Sequence, residues 1–211
     1  MAGYDDRDAR RMAGVEKIVD LGDGVAVIAT NTWLAQQAAA AVQITWADDS
    51  PNLPDTAAML GAIAAGFDLE PHSTLRDDGN ADRLPRGATE VTAEYRVPFL
   101  AHATMEPMNA TAWIDSTGLR LWSGNQAPTF TRDACAEAAG LPADRVQVFT
   151  TPMGGGFGRR GELDFSVIAT RIAKTVPGTP VNVTWSRGED MAQDYYRPAA
   201  IARMRGAVQD G

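Results

Sequence analysis

Between the β-prone run Val146 to Thr150 and an amphipathic helical stretch lies Met153-Gly154-Gly155-Gly156-Phe157-Gly158-Arg159-Arg160. No other segment constrains the chain as much. Four glycines around one aromatic let the backbone take positive φ and approach a ligand without Cβ interference. The following helix points its free N–H groups back at the loop, which favours an anion there. Arg159 and Arg160 add charged donors suited to phosphate or carboxylate. In physical terms the segment is an oxyanion or phosphate cradle. It matches neither G-x-x-x-x-G-K-[ST] nor G-x-G-x-x-G. Taken alone, a sharp glycine turn with surface arginines accounts for it about as well.

The segments around the loop read as a mixed α+β chain. Val15 to Asp20 and Val25 to Ala29 are split by Gly22-Asp23-Gly24, a hairpin signal. Thr32 is expected to cap a helix from Trp33 to Ala41, with Val42 to Trp46 as a third strand. That order, β-β-α-β, suits a small unit with a helix over one sheet face. From Ala47 to Gly87 the chain is polar and Pro/Gly-rich, broken by one helix near Asp55 to Ala65. Asp48-Asp49, Gly79-Asn80-Ala81-Asp82 and Leu84-Pro85-Arg86-Gly87 read as loop, so a boundary or crossover is expected here.

A second unit opens with the period-two run Val91 to Val97. Ala110 to Ile114 and Leu119 to Ser123 predict a hairpin. Thr131 is expected to cap a helix ending at Gly140. Leu163, Val167, Ile168, Ile172 and Val176 lie on one face of a helix stopped by Pro177-Gly178. Val181 to Trp185 reads as a strand, Ser186-Arg187-Gly188-Glu189 as a capping box, and Ala200 to Val208 as a last strand leading to a turn at Asp210-Gly211. Both ends read as cut through structure, which predicts an internal segment of a longer protein.

Composition narrows the function. The chain has 211 residues, enough for a real core, and a net charge of −8. Nucleic-acid binders concentrate Lys and Arg, so that class is excluded. Cys135 is the single cysteine, which rules out an internal disulfide or a cysteine cluster; it reads as a core residue on an Ala-rich helix. Two histidines, His72 and His102, are poor material for a protein-built metal site, so any metal must arrive in a cofactor. His72 reads as solvated. Tyr4 to Met12 is charged and lacks the apolar core of a signal peptide.

Two further segments could carry chemistry. Pro98 to Asn109 places His102 and Glu106 four residues apart. The pair is either an acid and base or a buried His–Glu hydrogen bond that orders a loop, and spacing alone favours the second. Gln126, just past a strand end, could donate to an oxo group or close a turn.

Pro98 to Asn109, Gln126 and Met153 to Arg160, in that order and spacing, resemble the xanthine dehydrogenase/aldehyde oxidase family of molybdenum hydroxylases. The resemblance is strongest to its bacterial isoquinoline 1-oxidoreductase and membrane-bound aldehyde dehydrogenase large subunits. It extends to Trp185-Ser186-Arg187-Gly188-Glu189-Asp190-Met191 and Tyr196-Arg197-Pro198. It implies an α+β fold in which residues 1–47 end a truncated hammerhead-type domain, 48–88 cross over, and 89–211 begin a molybdenum-cofactor-binding subdomain. The implied cofactor is molybdopterin, in its cytosine dinucleotide form. Gly155, Gly156, Phe157, Gly158 and Arg159 map onto the cofactor-binding loop, and Gln126 onto the residue that hydrogen-bonds the apical oxo group. The implied partners are a small iron–sulfur subunit, a cytochrome c subunit and a small-molecule substrate, with the compartment left open between cytoplasm and a periplasmic or membrane-associated setting. Gly161 stands where xanthine dehydrogenases carry a substrate-orienting glutamate, so an aldehyde or N-heterocycle is implied rather than a purine. The family's general base falls beyond Gly211, so the segment alone is expected to be inactive and without cofactor. Two rival readings remain at this point: a module binding a phosphorylated small molecule at the Gly/Arg loop, and a subunit-docking segment.

Overall fold

The computed structural model describes residues 1–47, 54–80 and 83–209. The readings at Asp48-Asp49, Ala81-Asp82 and Asp210-Gly211 lie outside those residues. β1 (Gly3–Asp5), α1 (Arg7–Arg10), β2 (Val15–Asp20), β3 (Val25–Ala29), α2 (Thr32–Ala41) and β4 (Gln43–Thr45) open the chain. α3 (Thr56–Ala65) and β5 (Thr89–Val97) follow. Then come β6 (Asn109–Asp115), β7 (Gly118–Ser123), α4 (Pro128–Ala139), β8 (Val146–Thr150), α5 (Asp164–Ala173), β9 (Val181–Thr184), α6 (Arg187–Ala192) and β10 (Ala200–Val208). The chain is mixed α+β. It divides into two compact units, Met1–Asp49 with Ala101–Tyr195, and Ser50–Leu100 with Tyr196–Gly211.

In the second of these units β5 pairs antiparallel with β10, from Thr89 opposite Val208 to Val97 opposite Ala200. α3, capped by the Asp55 carboxylate accepting the Ala58 N–H at 2.7 Å, packs against β10. Arg203 lies over the Phe67 ring at 4.2 Å.

The first unit has two clusters. β2 and β3 form the expected hairpin, with a bulge at Val15/Lys17. α2 is capped by Asn31, whose Oδ1 accepts the Leu34 N–H at 2.9 Å, one residue before the expected Thr32. β4 pairs with β1, a strand hidden in the charged start of the chain. Ala9, Ile18 and Ala38 are buried between them.

The larger cluster is a four-stranded sheet in the order β8-β7-β6-β9. β7 and β8 are parallel, and β6 is antiparallel to both β7 and β9. Alternation along β6 and β7 turns Ala110, Ala112, Leu119 and Leu121 to the core, where they meet Cys135 of α4 and Phe165, Ala169 and Ile172 of α5. The alternate residues carry ring contacts instead: Trp122 stacks on Phe149 at 5.2 Å, and Arg120 lies over Trp113. α4 starts four residues earlier than expected, with Ala127 at the cap position and Pro128 at its first position. Thr131 is therefore no cap. It is buried in the first turn, its hydroxyl donating to the Ala127 carbonyl at 2.9 Å. Gly140 ends the helix at φ +73°, as expected.

Candidate functional site

Strand direction gathers the informative loops at one sheet edge. β7 ends at Ser123 and leads through Gly124 and Asn125 to Gln126. β8 ends at Thr150 beside Ser123 and leads into the glycine loop. β9 ends at Thr184 opposite Asn109, the first residue of β6, so residues 101–108 enter the sheet at that same edge. The carboxyl ends of parallel strands are where open α/β sheets leave a crevice for ligands.

Within the glycine loop Gly155 and Gly158 have φ of +99° and +106°. Phe157 takes φ of 54°, a conformation costing about 1–3 kcal/mol for a residue with a Cβ, and leaves its ring 71% exposed. The requirement at Gly156 is different. A Cβ there would stand 2.8 Å from Gln126 Oε1. That oxygen accepts the Gly158 N–H at 3.2 Å, and the Gln126 backbone N–H donates to the Arg160 carbonyl at 2.9 Å. With its oxygen engaged by the loop, the Gln126 side chain keeps its amide NH₂ as the donor end. Sequence reasoning therefore placed Gln126 and the glycines separately, and the structure joins them.

Arg159 and Arg160, expected as outward-facing donors, are instead 1% and 0% exposed. Arg159 forms a two-pronged pair with Asp164 at 2.9 and 2.8 Å, its Nε 3.1 Å from Asp194 Oδ1 as an ion pair without hydrogen-bond alignment. The Trp185 and Tyr195 rings lie 5.5 Å from its guanidinium carbon. Burial works against the Arg159 charge, but Asp164 and Asp194 more than offset it and raise its pKa. Arg160 donates to the Gly155 carbonyl (2.8 Å), the Gly124 carbonyl (3.2 Å), and the Glu106 carbonyl (3.0 Å) and carboxylate (2.8 Å). Here burial prevails over Glu106 and lowers the pKa. Neither guanidinium offers free donors at the loop, so the Arg159 side chain holds the frame beneath the site. The reading as a cradle for a phosphorylated small molecule loses its charged donors. α5 also starts only at Asp164, after a short turn at Arg159–Gly161, so its N-terminus does not abut the glycines.

His102 and Glu106 do not bond to each other. The Glu106 carboxylate accepts the Gly154 N–H at 2.7 Å, the Asn109 amide at 3.0 Å and Arg160. Burial pushes this carboxyl up, yet the Gly154 N–H, the Asn109 amide and the Arg160 guanidinium together hold it below its ordinary value. His102 pairs with Asp194, whose carboxylate is 2% exposed: Nδ1 is 2.9 Å from Oδ1, and the backbone N–H donates to Oδ2 at 2.5 Å. α6 begins at a Ser186 cap, Oγ accepting the Glu189 N–H at 3.1 Å. It carries Asp190, which is buried and paired with Arg187 at 2.7 Å. Asp190, Asp194 and Arg187 had escaped notice as site residues. The Asp194–His102 contact spans 92 positions, and no local pattern announces it.

Among the described residues no group of three or more His, Cys, Asp or Glu side chains is arranged to hold a metal ion, and no helix is long and apolar enough to cross a membrane. The family described as the molybdopterin cofactor-binding domain matches residues 67–211. The chain is 30% identical over 197 residues to the xanthine dehydrogenase molybdenum-binding subunit of Escherichia coli O157:H7, covering 90% of this chain and 26% of that protein. It is 27% identical to the isoquinoline 1-oxidoreductase subunit beta of Brevundimonas diminuta, covering 97% and 27% respectively. Its fold is similar to quinoline 2-oxidoreductase from Pseudomonas putida 86, with a TM-score of 0.68 and 20% identity over 97% of this chain and 31% of that one. The chain thus spans about a quarter of the length of these curated relatives.

Proposed function

The chain belongs to the molybdopterin cofactor-binding domain family, and from that premise we propose that it forms one wall of the cofactor site of a molybdenum hydroxylase. The observation that carries the reading is the engagement of Gln126 by the glycine loop, its Oε1 accepting the Gly158 N–H. That contact orients the amide so that its NH₂ remains to donate to a bound group. The residues present fit the cofactor: Gly155 and Gly158 hold backbone conformations that L side chains rarely adopt, and Phe157 is exposed beside them.

When bound, molybdopterin supplies the redox centre for hydroxylating an electron-poor carbon with water as the oxygen source. The chain's own residues hold and orient that group. The loop backbone at Gly155, Gly156 and Gly158 packs against it, and the Phe157 ring adds apolar contact. Gln126 would supply a fixed donor to that group, the arrangement that stabilises developing charge without reorganisation. Arg160 and Glu106 tie the loop to the entry of β6, and Arg159 braces the turn that follows.

The finer reading is also proposed. Residues 1–47 end a hammerhead-type domain, 48–88 cross over, and 89–211 begin the cofactor-binding domain; the run β2-β3-α2-β4 within the observed β-α-β-β-α-β order supports the hammerhead assignment, although β4 pairs with β1 and not with the β2-β3 hairpin. The cofactor is the cytosine dinucleotide form, and the substrate is an aldehyde or N-heterocycle, for which the glycine at Gly161 leaves space: a Cβ there meets nothing within 4 Å. The partners are an iron–sulfur subunit and a cytochrome c subunit. The test is chemical analysis of the full-length protein: molybdenum, the fluorescent oxidised pterin, and CMP released on hydrolysis, alongside dye-linked oxidation of benzaldehyde and isoquinoline. Stoichiometric molybdenum, pterin and CMP with turnover of either substrate is expected. A purified protein without pterin overturns the reading, and pterin without CMP overturns the dinucleotide assignment.

A further inference from the structure

Two non-glycine residues in the described chain have left-handed backbone, Ala103 at φ 44° and Phe157 at φ 54°. They flank a single contact. Ala103 follows His102, Phe157 precedes Gly158, and His102 Nε2 lies 3.5 Å from the place a Cβ on Gly158 would occupy. Strained conformations persist only where the surroundings over-determine them, and they gather at sites of function.

The imidazole is held by more than packing. Asp194 accepts both its Nδ1–H and its backbone N–H. A carboxylate can only accept, so Nδ1 is the donor to Asp194 and Nε2 is the ring nitrogen left to face the loop. Arg159 stands against Asp194, and Asp164 balances Arg159 in turn. Among the described residues nothing hydrogen-bonds Nε2, although the side chain is only 9% exposed. Nε2 is not among the buried polar atoms that lack a partner, so it stays open to a group arriving at the loop. At the same residue, Gln126 takes the Gly158 N–H. Gln126 and His102 therefore both meet the loop at Gly158.

We propose that His102 contacts the bound group at the glycine loop, its Nε2 accepting a hydrogen bond from an N–H or O–H of that group, with Asp194 and Arg159 as positioning residues. The inference rests on the molybdopterin reading, and a pterin carries ring and amino N–H donors of the kind required. No proton or electron need be transferred. The contact adds a second polar side chain, beside Gln126, at the bound group.

The test uses the cofactor-loaded full-length protein and follows pterin release after dilution, by fluorescence of the oxidised pterin in the filtrate. His102→Ala is expected to release pterin on the order of tenfold faster, the worth of one hydrogen bond. His102→Gln, which restores an acceptor, recovers part of that loss. Asp194→Asn, which no longer fixes the ring tautomer, falls between wild type and His102→Ala, and His72→Ala behaves as wild type. The melting temperature of the cofactor-free protein is read in parallel. A purely structural His102 lowers it in His102→Ala while leaving release from the folded protein at the wild-type rate, and that result overturns the proposal. If His102→Ala does not fold, a wild-type release rate in Asp194→Asn together with one in His102→Gln overturns it, and faster release in Asp194→Asn supports it. A wild-type protein that carries no pterin overturns the cofactor reading itself, a different result from a loaded wild type whose release ignores His102.

Discussion

Removing the Arg160 guanidinium is the most demanding perturbation of the frame beneath the glycine loop. It makes four hydrogen bonds, three to the carbonyls of Gly155, Gly124 and Glu106 and one to the Glu106 carboxylate. Arg160→Met keeps the length of the side chain and removes all four. Each buried acceptor left without a donor costs about 1–3 kcal/mol. The Glu106 side chain is 39% exposed and water replaces part of its loss, so the ion pair is discounted. Methionine also avoids the desolvation of a fully buried charge, which offsets some of the remainder. The net expectation is a loss of about 3–5 kcal/mol, against a typical domain stability of about 5–15 kcal/mol. Arg160→Lys keeps the charge without the planar fork, so it should lose about 1–3 kcal/mol. Urea unfolding followed by tryptophan fluorescence measures both, with an unchanged slope confirming that the native state is intact. If Arg160→Met unfolds within about 1 kcal/mol of wild type, or Arg160→Lys is the worse of the two, the guanidinium is not what holds the loop.

Four further outcomes are expected. Gln126→Ala in the loaded full-length protein should lower kcat by roughly a hundredfold or more with cofactor retained, because losing one preorganised donor costs about 2.7–4 kcal/mol in the barrier; an unchanged rate of metal-centre reduction in a single turnover removes Gln126 from the site. Gly156→Val should displace the Gln126 side chain and reduce molybdenum content while circular dichroism stays near wild type, since its Cβ falls 2.8 Å from Oε1; full occupancy would show the loop tolerates the bulk. The Glu106 carboxyl titrates below its ordinary value in the folded chain, so its stabilisation is complete above about pH 4.3 and is lost as pH falls through the lower folded value. Glu106→Gln should then flatten the fall of melting temperature as the pH drops below the ordinary carboxylate range, and an unaltered acid limb would contradict this. Asn31→Ala, which removes the α2 cap, should cost about 1 kcal/mol by urea unfolding without affecting the site.

Local patterns made most of the fold legible. The hairpin about Gly22-Asp23-Gly24, the period-two strands and the apolar face of α5 follow from residue order alone, as does the burial of Cys135. Two of the misplacements were also local. Asn31 precedes Thr32 and both are good caps, so choosing between them needed the backbone. Thr131 lost the cap position to Ala127, because the fixed φ of Pro128 suits a first helical residue. β1 was hidden because Tyr4 and Asp5 gain strand geometry only from β4, which lies about forty residues on in sequence and fixes their register. At the site, sequence order identified the Gly/Phe loop, Gln126 and the His102–Glu106 segment. It could not give the partners of His102 or the arginines. Two adjacent arginines in a glycine-rich loop read as surface charge, and their burial depends on Asp164, Asp194 and Glu106 coming together from separate segments.

That burial changes what the site can recognise. Around the loop the three guanidiniums of Arg159, Arg160 and Arg187 face the four carboxylates of Glu106, Asp164, Asp190 and Asp194. Among the described residues each of these three guanidiniums has a carboxylate partner, so none of the three is left to hold an anion at the lip. What remains at the lip is a set of fixed dipoles: the Gln126 amide, the loop N–H groups and the His102 ring. Dipoles locked by a buried ionic frame do not reorganise when a ligand changes its charge distribution, whereas mobile surface arginines would. Such an edge suits a group recognised by donors and acceptors in set directions, with its charge changing during the reaction. A pterin with its metal centre is a group of that kind, and a simple phosphate is not.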